Sequence, residues 1–235
     1  MSVISRNLQA VHDQIATSAR QALRESETVH LLAVSKAWGA EAILDAVQAG
    51  QRAFGENYEQ EAVAKMAAIQ AARPDLMLEW HFIGPIQGNK TRSIATHFDW
   101  VHTVDRERIA RRLSDQRPPE KPPLNVCIQI NISGEATKSG VLPEEAEALA
   151  RLIDSLPRLK LRGLMAIPEP EDDPEKQRDP FQKMHALFDT LRQRGFALDT
   201  LSMGMSDDME AAIMEGATIV RVGTAIFGQR KTNEK

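Results

Sequence analysis

The sequence predicts a (β/α)8 barrel of the TIM type, an α/β fold forming one domain over residues 1–235. Three observations carry this prediction. Eight short apolar runs of strand length alternate with segments whose apolar residues recur every three or four positions. The chain, at 235 residues, has close to the length at which eight such units close on themselves. The first run leads into Lys36, Ala37, Trp38 and Gly39 instead of a glycine-rich turn. That argues against the rival doubly wound sheet, whose first turn carries a dinucleotide fingerprint.

Each element follows from its residues. Ile4, Leu8, Val11, Ile15 and Ala19 stripe an additional N-terminal helix within residues 1–28. Arg6, Asp13 and Arg20 interrupt it, so it reads as neither a secretory signal nor a membrane span. Leu31 to Val34 form a strand apolar on both faces, ending at Lys36. Ile43, Leu44 and Val47 stripe a helix that stops at Gly50, a residue suited to the left-handed position after a helix. Gln51 to Phe54 is the second strand, and a helix carrying Ala62, Val63, Met66 and Ile69 runs up to Pro74. Leu78 to Ile83 is the third strand, closed by Gly84 and Pro85, with a short helix over 87–96. Asp99 to His102 is the fourth, followed by Asp105 as the cap of a helix containing Ile109 and Leu113.

Four prolines lie between Arg117 and Pro123. The stretch has the composition of a linker, but the alternation continues beyond it, so it reads as a helix-to-strand loop. Asn125 to Ile130 is the fifth strand, Gly134 to Gly140 a polar loop, and Pro143 with Glu144 and Glu145 opens the next helix. Leu161 to Ile167 is the sixth strand. A long acidic loop from Pro168 to Pro180 leads to a helix marked by Phe181, Met184, Leu187, Phe188 and Leu191. Leu198 to Met203 is the seventh strand, with Ser206, Asp207 and Asp208 capping a helix. Ala217 to Val222 is the eighth, and residues 229–235 form a frayed tail.

Composition narrows the function. Thirty-three acidic and 29 basic residues leave a formal charge of −4, without the basic excess of a general nucleic-acid binder. Cys127 is the single cysteine, which excludes an intrachain disulfide and fits a reducing, cytoplasmic setting. The six histidines show no zinc-ligand spacing. His81 and His102 read as hydrogen-bonded core or rim residues, and Cys127 as packing.

In a barrel the functional mouth lies at the C-terminal ends of the strands. Lys36, Asn57, Met165, Ser202 to Ser206 and Arg221 to Thr224 all fall there. Lys36 has two readings. Its stem snorkels at a strand end, or a dry interior holds the stem and favours the neutral amine that Schiff-base chemistry uses. The turns after strands seven and eight offer the Ser202 and Ser206 hydroxyls and the backbone amides of Gly223 and Thr224, a cup suited to phosphate and equally to helix capping. Alternation points Arg221 to the same side as Ile219 and Gly223, and a guanidinium inside the mouth needs a partner. A lysine, an arginine and a phosphate cup suit one ligand with an aldehyde, a phosphate and a ring nitrogen between them. Pyridoxal 5′-phosphate has that shape.

Six motifs strengthen this reading: Ala33 to Lys36, Phe54 to Tyr58, Trp80 to Lys90, Gly163 to Met165, Leu201 to Asp207 and Val220 to Gly228. Together they resemble the pyridoxal phosphate homeostasis protein family, in unbroken order from about residue 5 to residue 228. The resemblance implies a pyridoxal-phosphate barrel of fold type III, like the N-terminal barrel of alanine racemase. It implies cofactor held covalently by Lys36, phosphate bound by Ser206, Gly223 and Thr224 with Ser202 nearby, Arg221 facing the pyridine nitrogen, and Asn57 and Met165 lining the pocket. It further implies a role in holding and distributing the cofactor without established turnover.

The alternative is an amino-acid racemase using Lys36 and Tyr58 as opposed bases. Tyr58 is expected instead to pack on the following helix. The chain is also expected to have no room after strand eight for the separate β domain of alanine racemases. An arginine at the ring nitrogen keeps it unprotonated and makes the cofactor a poorer electron sink. The expected partners are pyridoxal phosphate and cofactor-dependent apo-enzymes, with no nucleic acid and no membrane, and the expected state is a monomer. Lys138 reads as a solvated loop charge, the alternative being a part in loading the cofactor, and the acidic 168–180 loop lies on the mouth's side, where its charge argues against a lid over a phosphate.

Overall fold

The computed structural model describes residues 2–134 and 139–229. Lys138 and the tail beyond residue 229 lie outside them. Eight parallel strands close into a barrel in sequence order, and β8 pairs back onto β1. The strands are β1 His30–Val34, β2 Ala53–Glu56, β3 Glu79–Phe82, β4 Trp100–Val104, β5 Leu124–Gln129, β6 Leu159–Met165, β7 Thr200–Ser202 and β8 Ile219–Val222. The helices are α1 Val3–Gln21, α2 Ala40–Gln48, α3 Glu59–Ala72, α4 Thr91–His97, α5 Glu107–Gln116, α6 Ala146–Asp154, α7 Pro174–Gln193, α8 Met209–Met214 and α9 Thr224–Phe227. The helix added before the first strand packs its buried Leu8, Val11 and Ile15 stripe beside α2, α8 and α9. No helix among the described residues is long and apolar enough to cross a membrane.

Several boundaries differ from the sequence reading, each for a local reason. The second strand starts at Ala53, because Gln51 is spent in a turn where its buried amide donates to Leu31 and Ala53 carbonyls. The fourth strand continues to Val104, so Arg106, not Asp105, occupies the cap of α5. The long loop after β6 ends at residue 173. The Asp173 side chain accepts from the Glu175 amide, Pro174 takes the first helical position, and Pro180 lies inside α7. Proline at the first turn loses no hydrogen bond. The one forfeited at Pro180 is offset by the buried stripe of Phe181, Met184, Phe188 and Leu191.

The main core lies between the barrel wall and the helices. Inside the barrel the apolar contacts split into two small groups. Leu32, Val34, Ile83 and Ile219 form one, and Trp100, Cys127 and Met165 the other. Burial pushes the Cys127 thiol up to about 12, so it packs as an unreactive hydrophobe. The remaining inward positions are polar: His81, His102, Ser202 and Arg221 are all buried.

The proline-rich segment is anchored by a residue whose role the sequence did not disclose. Arg117 is buried and donates to the carbonyls of Ala95, Phe98 and Pro122 at 2.7, 2.7 and 2.9 Å. It ties the ends of α4 and the loop before β5 into one unit. Arg117→Met is expected to cost about 3 kcal/mol, since three carbonyls lose their donor. Urea unfolding checks this, and a loss below about 1 kcal/mol would show that the carbonyls find other donors.

Candidate functional site

The C-terminal ends of the strands bring the residues singled out above to one mouth. Lys36 stands two positions beyond β1 and Asn57 one beyond β2. Met165 ends β6, Ser202 ends β7, and Arg221, Gly223 and Thr224 run off β8. Ser206 sits in the turn before α8. Their surroundings differ. Met165, Ser202 and Arg221 are buried, whereas Lys36 and Thr224 are exposed. The dry stem considered for Lys36 is therefore not present: the lysine projects from the turn instead of lying along the interior. Tyr58 does not pack on α3 either. It occupies the cap of that helix with 55% of its surface exposed.

What the structure supplies at Lys36 is a fixed backbone. Lys65 on α3 is buried and donates to the Ser35 carbonyl at 2.9 Å, to Glu56 Oε1 at 2.6 Å and to Glu61 Oε1 at 2.8 Å. Glu61 Oε1 also accepts the Ala37 amide at 2.7 Å, and the Ser35 hydroxyl donates to Glu56 at 2.7 Å. The peptide groups on both sides of Lys36 are thus pinned to one helix. Ala37 holds φ at +65°, a left-handed conformation that costs a non-glycine residue about 1–2 kcal/mol and persists where contacts over-determine it. Trp38 then stacks on Phe227, ring centroids 5.9 Å apart, joining this turn to the one after β8.

Arg221 lies inside the barrel, as the alternation predicts. It donates through Nη1 to Ser202 Oγ at 2.8 Å and through Nη2 to the Ala166 carbonyl at 2.9 Å. Burial pulls the guanidinium down to about 10, which leaves it charged at neutral pH. Only two of its five N–H groups meet these protein acceptors. Beyond Ser202 the polar contacts continue: His102 Nδ1 lies 2.7 Å from Ser202 Oγ, His81 Nδ1 2.8 Å from His102 Nε2, and Glu79 Oε1 2.6 Å from His81 Nε2. Burial holds both imidazoles below their usual range, and the hydrogen bond from His81 holds Glu79 below the carboxylate range.

At the other turns, Gly223 lies so close to β1 that a Cβ there would sit 3.2 Å from the Val34 carbonyl oxygen. In the short helix α9 the Ile226 and Phe227 amides donate to the Gly223 carbonyl at 3.0 and 2.9 Å, and those of Thr224 and Ala225 have no backbone acceptor among the described residues. Asn57 Oδ1 is buried without a hydrogen-bond partner among the described residues. Among the described residues the mouth therefore offers a lysine on a pinned backbone, a buried cation with spare donors, two turn amides and an unused acceptor. That set suits a compact anionic molecule carrying an acceptor atom. No group of three or more His, Cys, Asp or Glu side chains able to hold a metal occurs among the described residues.

The eight-stranded barrel with its polar mouth defines a protein of the alanine racemase N-terminal domain type, and the profile of that family matches residues 7–231. The chain belongs to the pyridoxal phosphate homeostasis proteins within it. The protein of that name from Pseudomonas aeruginosa is 57% identical over 230 residues, covering 98% of this chain and 97% of its own. PipY of Synechococcus elongatus, solved with pyridoxal phosphate bound, is 35% identical with a TM-score of 0.83, covering 96% of this chain and all of its own. An alanine racemase from Corynebacterium glutamicum, at 18% identity and a TM-score of 0.65, shares the fold. This chain matches 62% of its length.

Replacing Lys65 tests the clamp behind Lys36. Burial raises the Glu56 carboxyl above its usual range even with the ammonium beside it, and removing that ammonium raises it further. Below the unfolded carboxylate range both states hold the proton and the variant pays little for the missing charge. As pH rises above that range the unfolded chain ionises first and the native state loses stability. Lys65→Met is expected to lose about 3–5 kcal/mol at pH 8 and much less at pH 5, measured by urea unfolding at both values. A loss independent of pH would show that Glu56 is not the group affected.

Proposed function

We propose that this protein binds pyridoxal 5′-phosphate at the barrel mouth and holds it in reserve, with Lys36 as a reversible covalent tether and without catalytic turnover. The observation that carries the reading is Arg221, a buried guanidinium at the mouth with N–H donors that meet no acceptor among the described residues. A group that can only donate suits an unprotonated pyridine nitrogen, which can only accept. The other residues fit the molecule as well. The Thr224 and Ala225 amides beside Gly223, with the Ser206 hydroxyl from the turn before α8, suit its phosphate, Asn57 supplies an acceptor, and Ser202 holds Arg221 in place. Met165 packs beneath with Trp100 and Cys127. The relatives named for pyridoxal phosphate homeostasis and the PipY complex support the same ligand.

The bound cofactor supplies an electrophilic carbonyl carbon for an amine. Everything else is the work of this chain. The pinned backbone fixes the point from which the Lys36 amine reaches the ligand, while exposure of the side chain leaves the link open to water and to competing amines. Arg221 withholds a proton from the ring nitrogen and so suppresses carbanion chemistry. These properties suit storage and release more than turnover. The racemase reading has only the shared fold in its favour, and its second base, Tyr58, is half exposed at a helix cap. We place the protein in the cytoplasm as a monomer, with apo-enzymes that require the cofactor as recipients.

Incubated with pyridoxal phosphate, the protein is expected to gain a visible absorbance band, and borohydride is expected to fix the ligand on Lys36, read by peptide mass spectrometry. Lys36→Ala is expected to stay colourless. Exclusive labelling of another lysine would overturn the tether, and rapid entry of deuterium at the α position of L-alanine would overturn the absence of turnover.

A further inference from the structure

We propose that Glu79, at the opposite end of the barrel, is a positioning residue for Arg221, acting through a hydrogen-bonded column that crosses the interior. The column is Glu79, His81, His102, Ser202 and Arg221, each within 2.6–2.8 Å of the next. It leaves the wall of the barrel between β4 and β7, strands that do not pair, so His102 and Ser202, 100 residues apart, meet across the cavity of the barrel. Glu79 is the first residue of β3, and its side chain is 52% exposed. It lines a cavity of about 630 Å³ at the N-terminal mouth, along with His30, Asn125, Arg162 and Asp199. One end of the column therefore meets solvent and the other meets the proposed cofactor site.

Glu79 fixes the direction of every bond between them. An ionised carboxylate has no proton to give, so His81 Nε2–H donates to it. A neutral imidazole protonated at Nε2 must accept at Nδ1, so His102 Nε2–H donates to His81. His102 then accepts at Nδ1, and the only proton available there is that of the Ser202 hydroxyl. With its proton committed, Ser202 turns its lone pairs to Arg221 Nη1. Each donor from His81 to Ser202 has an acceptor, and Arg221 is held by an oxygen oriented to receive it. Without the charge at position 79 the opposite direction becomes available. A donor there gives its hydrogen bond to His81 Nε2, so both imidazoles carry their proton at Nδ1, and Ser202 must accept from His102. The serine proton is then left to compete with the guanidinium for the same space. The two directions contain the same atoms and the same number of protons on the rings. The charge at residue 79 selects between them.

Other ionisable groups bear on the column. His30 faces Glu79, Asp99 acts on His81, and Asp208 and Cys127 act on Arg221. None of them is hydrogen-bonded to a ring of the column, so none substitutes for Glu79 in setting a tautomer. The effect on the cofactor rests on the reading that Arg221 faces its ring nitrogen. The effect on the histidines does not.

The test separates the two. In protein free of cofactor, nitrogen-15 NMR of the ring nitrogens is expected to find His81 and His102 both protonated at Nε2, and Glu79→Gln is expected to move both toward the Nδ1–H form. In protein loaded with pyridoxal phosphate, Glu79→Gln is expected to shift the pH midpoint of the visible band by about half a unit or more. In a Ser202→Ala background the same substitution is expected to add no shift, because the column is cut. Nδ1 protonation of either histidine in the wild type would overturn the proposal even if no variant folds, and so would an equal shift with and without Ser202. If wild-type protein binds no pyridoxal phosphate, the cofactor reading fails and the tautomers alone decide the column.

Discussion

A guanidinium buried inside a barrel has to be satisfied by something, and Arg221 sets the terms for the rest of the interior. Its nearest hydrogen-bonding partners are a hydroxyl and a backbone carbonyl, not a carboxylate. Burial lowers its affinity for protons without discharging it. An interior of stacked aliphatic layers, the usual filling of such barrels, could not accommodate it. Instead the apolar filling is divided into two small groups, with polar side chains running from β3 to β8 past the stacked rings of His81 and Trp100. The arginine, the two histidines and the serine are tolerated because each meets a partner of the right polarity, and removing any one leaves its neighbour unpaired.

The same logic, turned outward, explains Lys36. The lysine itself is exposed, yet the peptide groups on both sides of it are held by buried Lys65, which is paired with buried Glu56, and by the partly exposed Glu61. In the proposed tether, the backbone would supply precision and the exposed side chain reversibility, and burial of the amine would work against release. The left-handed Ala37 belongs to this arrangement: its strain is maintained by the contact from Glu61.

The two systems meet at the mouth from different directions. One fixes the amine end of the proposed ligand through α3, and the other fixes the ring end through the barrel axis. The stack of Trp38 on Phe227 links the turns between them. The site is therefore built on rigid elements even though two of its members are solvent-exposed.

Sequence by itself determined the order of strands and helices, the barrel class, the mouth to which Lys36, Ser202 and Arg221 belong, and the inward direction of Arg221. Those properties follow from apolar periodicity and from the alternation of side chains along a strand, both of which are local. It located the histidines as buried and hydrogen-bonded but could not say to what. Only the tertiary structure decided that His102 meets Ser202 across the barrel, that Lys65 reaches back to Ser35, that Arg117 fastens the proline-rich loop, and that Lys36 and Tyr58 stand in solvent. The physical reason is that an apolar residue is placed by the hydrophobic effect, which needs no particular partner. A buried polar or charged residue is placed only by a specific acceptor or counter-charge, and here those partners lie up to 100 residues away in the chain.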